Sequence, residues 1–94
     1  MTDHTEIVLS AVRQERKRQN ALHGEQKHPL PLFVSILMGE VGEVAQEVQH
    51  CVFLNEPTWD LRNELIQVAA VAVAMAEMID RNEDAYDATP HHNS

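Results

Sequence analysis

The chain has 94 residues, 44% hydrophobic and 23% charged, which is the composition of a folding chain and the length of a single core. Only about 60–65% of the unfolded surface of so short a chain is buried on folding, so association with further copies is expected. Asp and Glu number 15 against 7 Lys and Arg, a formal charge of −8, and that field disfavours nucleic acid polymers and anionic membranes as partners.

Helix signals cover most of the chain in order. Asp3 and Thr5 can cap a first helix over residues 6–22, and Gly24 stands just past its end, where a left-handed residue is wanted. Its front half carries Ile7, Val8, Ala11 and Val12, whereas 13–19 is almost wholly polar, so the front half is expected to anchor in the core. Pro29 and Pro31 mark a second helix start, because proline lacks only an N–H that would be unpaired there anyway. That helix is expected over 31–53, and Asn55-Glu56-Pro57 closes it. Thr58 is placed to cap a third helix reaching to about 81, with Asp60 at the positive end of its dipole.

Small apolar residues lie on both sides of the third helix through its middle, so this helix is expected to be buried all round, which a dimer arranges more readily than a lone three-helix chain. A short fourth helix over 82–88 and a frayed tail over 89–94 complete one helical domain spanning 1–88. The fold class is thus all-α, an antiparallel helical bundle completed by oligomerisation. The longest near-apolar stretch, residues 65–76, is too short for the roughly 20 residues that span a bilayer. Cys51 is the only cysteine, so no intrachain disulfide forms, and the polar start lacks a secretory pattern; a cytoplasmic location is expected.

On the second helix Glu40, Glu43 and Glu47 fall at i, i+3 and i+7, within roughly 60° of one another. The apolar stripe of Leu37, Val41, Val44 and Val48 lies roughly 90° away. On the third helix Glu64 and Gln67 share a face, and antiparallel packing lets Glu40 and Glu43 meet them. Acids held that close repel unless protons or cations neutralise them, and Mg²⁺ with oxygen ligands is the usual partner. The same stripe also reads as a solvated helix face. Arg13, Arg16, Lys17 and Arg18 are either a phosphate-facing cluster or a solvated helix end pairing with Glu15. His50 and Cys51, about 100° apart on a helix, do not make a nucleophilic pair, and Trp59 reads as a packing residue.

Gly39-Glu40-Val41-Gly42-Glu43, followed after 20 residues by Glu64-Leu65-Ile66-Gln67, resembles the E-x-x-E … E-x-x-D signature of the MazG-like, all-α nucleoside triphosphate pyrophosphohydrolases. Arg13-Gln14-Glu15-Arg16 through His23-Gly24-Glu25-Gln26-Lys27-His28-Pro29 resembles the opening of small bacterial and phage members, and residues 61–80 resemble their third helix. The resemblance covers roughly residues 8–80. It implies a homodimer or homotetramer that uses Mg²⁺, with Mn²⁺ able to substitute, to cleave a (d)NTP between its α and β phosphates. The products are a nucleoside monophosphate and pyrophosphate, as in housecleaning of the nucleotide pool.

Carried over by residue, Glu40, Glu43 and Glu64 match catalytic metal-ligand positions; Glu47 and Gln67 are expected to assist as further ligands, and Arg16, Lys17 and Lys27 to bind substrate. Gln67 departs from the motif, which has aspartate there, and a glutamine oxygen ligates without adding charge. His23 stands where relatives often have tryptophan. A second reading, from another class, is a non-catalytic helical oligomer that binds a nucleotide or a protein partner, its turnover lost through Gln67.

Overall fold

The computed structural model describes residues 3–81, which form three helices: α1 (His4–His23), α2 (Leu30–Phe53) and α3 (Trp59–Asp80). The all-α class expected from the sequence is what the chain adopts, and no strand is present among the described residues. The expected fourth helix over 82–88 and the tail over 89–94 lie outside the described residues.

The helix ends follow from local chemistry. The Asp3 carboxylate accepts the Thr5 N–H at 2.9 Å, satisfying one of the unpaired donors of the first turn of α1. Gly24 ends α1 with φ +73° while its N–H bonds back to the Asn20 carbonyl at 2.8 Å, a left-handed residue where no Cβ obstructs it. Pro31 occupies the first turn of α2 as expected. Thr58 precedes α3, but its side chain makes no capping bond. The expected Thr58 cap is therefore present in position only.

Helix α3 lies between α1 and α2, which do not touch each other. Phe33, wholly buried, packs from the start of α2 against Val71, Ala74 and Met78 of α3. Because the start of α2 meets the later turns of α3, the two helices run antiparallel. On the other flank of α3, Ile66 and Ala70 pack against Val12 of α1.

Three expectations about packing are corrected. The front half of α1 anchors only through Val12, with Ala11 beside it: Ile7, Val8 and Leu9 are exposed, whereas Arg16 and Gln19 of the polar half are 6% and 7% exposed. The reason is that Arg16 reaches α3, where its Nε donates to Glu77 Oε1 at 3.2 Å and its Nη1 to Gln19 Oε1 at 3.0 Å, while its methylenes line the contact. Nor is α3 buried all round within one chain. Leu65, Ala72, Val73, Ala76 and Ile79 are exposed, since α1 and α2 cover only part of its circumference. Trp59, expected to pack, is 63% exposed.

Candidate metal centre

Antiparallel pairing of α2 with α3 brings one turn of each helix together at their acids. Glu40 and Glu43 are one turn apart on α2, and Glu64 faces them from the second turn of α3. Carboxylate oxygens of the three lie within 4.8 Å of one another. Glu40 and Glu64 are half-buried and Glu43 is exposed. Oxygens on opposite sides of one Mg²⁺ stand about 4.2 Å apart, so the three are a small side-chain adjustment from sharing an ion. A set of three carboxylates open to solvent suits a hard cation that keeps part of its water.

Electrostatics points the same way. Burial, followed by the charges of Glu43 and Glu64, raises the pKa of the Glu40 carboxyl above its ordinary value. Burial, followed by the charges of Glu43, Glu47 and Asp60, does the same to Glu64. Both shifts mean that burial and the neighbouring carboxylates disfavour the charged forms.

Gln67 stands beside the Glu15 carboxylate of α1 and helps lower its pKa. That carboxylate accepts Arg18 Nε at 2.9 Å, Arg18 Nη2 at 2.6 Å and Gln19 Nε2 at 3.2 Å. The Arg18 contact, ahead of the rest, holds the Glu15 carboxyl below its ordinary pKa against the opposing effect of burial. Glu15 in turn adds its charge to the field at Glu40. Glu47 lies with His50 and Glu56 in a second group, its Oε2 3.5 Å from His50 Nδ1, though its charge still reaches Glu64. Cys51 Sγ is engaged elsewhere, with the Pro57 carbonyl at 3.5 Å, as expected for neighbours that point apart on a helix.

The basic residues are dispersed. The Arg16 guanidinium is committed to Glu77 and Gln19 and is buried. Lys17 is exposed on α1. Lys27 lies in the connection between α1 and α2, where His23, Glu25, Gln26 and His28 line an open recess of about 460 Å³ with it. Arg81 fixes that connection by donating from Nη2 to the Gln26 carbonyl at 3.2 Å.

Three features have no counterpart in the sequence reading: the Arg16–Glu77 pair, the Glu15–Gln67 contact and the His50–Glu56 approach. The first two join residues of different helices and the third joins a helix end to the connection after it; only a lone Glu77 in an apolar stretch hinted at the first. Compared with known protein families, with curated proteins and with solved structures, the chain gives no match in any of the three.

Proposed function

We propose that the chain is a Mg²⁺-dependent pyrophosphohydrolase of the MazG-like kind, cleaving a (d)NTP between its α and β phosphates and working as a cytoplasmic homo-oligomer in nucleotide-pool housecleaning. The observation that carries this reading is the convergence of Glu40, Glu43 and Glu64 from two helices on one small volume. In this role the three carboxylates hold the cation, and Glu47 lends charge from its neighbouring position. A divalent cation bound there withdraws charge from phosphate oxygens and makes water nucleophilic near neutral pH. Burial and neighbouring carboxylates disfavour the charged forms of Glu40 and Glu64, and a cation held between them would offset that repulsion.

Self-association is supported by a second observation. Val34, Met38, Val41, Ala45, Val48 and Val52 of α2 are all exposed and follow each other at spacings of four and three, as a continuous stripe. This stripe and Leu65, Ala72, Ala76 and Ile79 of α3 are each centred roughly 100–120° round from the α2–α3 contact, in the same sense. In an antiparallel pair that places both on one side of the hairpin, opposite α1. A second copy applied there completes a helical bundle.

The test is product analysis after incubation with standard and modified nucleoside triphosphates in Mg²⁺ and then Mn²⁺. Monophosphate plus pyrophosphate, lost in Glu43→Ala, is the expected result; diphosphate plus phosphate overturns the reading. One observation favours the alternative of a non-catalytic nucleotide or protein binder: Gln67 adds no charge, which leaves three carboxylates at the centre. On that alternative the wild type is inert and Gln67→Asp gains hydrolysis.

A further inference from the structure

Between α1 and α3 runs an open cleft of about 420 Å³, bordered by Gln14, Glu15, Arg18, Arg62, Asn63 and Gln67. That volume is within the range of small-ligand sites. Its walls are unusual for a chain of charge −8, because two guanidinium groups face one space. Arg18 is held by both oxygens of Glu15, which spends two of its five N–H donors and leaves three. Arg62 makes no ion pair or side-chain hydrogen bond among the described residues, and neither do the amides of Gln14 and Asn63. The negative charge of Glu15 is already matched by Arg18. The cleft therefore presents a surplus of uncommitted donors and one net positive charge.

We propose that this cleft is an oxyanion subsite in which Arg18 and Arg62 grip phosphate groups, with Glu15 as the positioning residue that fixes Arg18. The guanidinium fork matches phosphate oxygens in pairs, and a guanidinium already held in place loses little freedom when it binds. The location favours phosphate over other anions: Gln67, which borders the cleft, is one turn along α3 from Glu64 of the acidic group, so a nucleotide with one phosphate at the acids can extend its others towards the arginines. In this arrangement the terminal phosphates of a nucleotide lie towards α1. The arginine gripping them is Arg18, with Arg62 opposite, while the buried Arg16 serves the packing of α1 on α3. The assignment of phosphate as the ligand rests on the nucleotide reading above; the donor surplus does not.

The probe is inorganic pyrophosphate, titrated calorimetrically into the full chain in EDTA and, separately, in Mg²⁺. Without metal, the wild type is expected to bind, Arg62→Gln and Arg18→Gln to bind about tenfold more weakly or worse, and Glu43→Gln to bind at least as well as wild type. Arg18→Lys, which keeps the charge but cannot pair both Glu15 oxygens, is expected between wild type and Arg18→Gln. Circular dichroism melts of each variant separate a lost site from a lost fold. No binding by the folded wild type, or equal binding by wild type and Arg62→Gln, overturns the proposal. Pyrophosphate binding that depends on Arg62 in a protein that hydrolyses no nucleotide would sustain this subsite while the hydrolase reading fails.

Discussion

Glu43 is the exposed member of a trio of carboxylates whose other two members are both pushed towards their protonated forms. Neutralising it removes repulsion from both, so Glu43→Gln should stabilise the metal-free chain by about 0.5–1 kcal/mol, read as a higher melting temperature in EDTA. The same variant should lose the rise in melting temperature that Mg²⁺ gives the wild type, because ligand binding to the folded state adds stability by mass action. The pH dependence follows from the direction of the shifts. A carboxyl whose pKa is raised on folding favours the folded state below that value and loses this contribution as pH rises through it. The metal-free chain is thus relieved of repulsion on mild acidification, while protons compete with the cation for Glu40 and Glu64. The Mg²⁺-induced stabilisation should shrink as pH falls towards the carboxylate range, and an increment unchanged at every pH at which the chain stays folded would contradict the assignment. At Arg16, truncation to alanine strands Glu77 and Gln19 and removes packing between α1 and α3, at an expected cost of about 1–3 kcal/mol by chemical denaturation.

At the scale of the elements, the three helices were legible because their punctuation is local: a carboxylate two residues before the N–H it caps, prolines in a first turn, a glycine that accepts φ +73°. The grouping of Glu40, Glu43 and Glu64 was legible for a similar reason, since the i, i+3 spacing fixes a face and a short connection fixes antiparallel pairing. What was not legible depends on a third partner. Gln67 shares a face with Glu64, yet it also borders the cleft between α1 and α3 beside Glu15; polar residues 13–19 look solvated until Glu77 supplies a counter-charge to Arg16. Helix α2 also contains Gly39 and Gly42, and a Cβ at either would meet nothing within 4 Å inside the chain. Gly42→Ala should therefore stabilise the isolated chain by about 0.5–1 kcal/mol through helix propensity. A loss of stability instead would mean that a partner or ligand approaches that backbone closely.

For the whole molecule, the hairpin of α2 and α3 has two unlike sides. One carries α1, the acids and the arginine-lined cleft; the other is a broad apolar face from Val34 to Val52 on α2 and Leu65 to Ile79 on α3. The proposed assembly would bring α3 closer to all-round burial, because Leu65, Ala72, Ala76 and Ile79, which are exposed in one chain, lie together on that face. Charge placed there should oppose assembly without reaching the acids: Val41→Glu combined with Val48→Glu is expected to shift the chain to monomer in light scattering, and unchanged mass would show that another face associates. The most direct test of the central claim is the position of the metal. Manganese added in small amounts to the ¹⁵N-labelled chain broadens amide signals near the bound ion. We predict broadening centred on residues 40–43 and 64, abolished in Glu43→Gln; broadening centred on 47, 50 and 56, or none at all, would contradict the account.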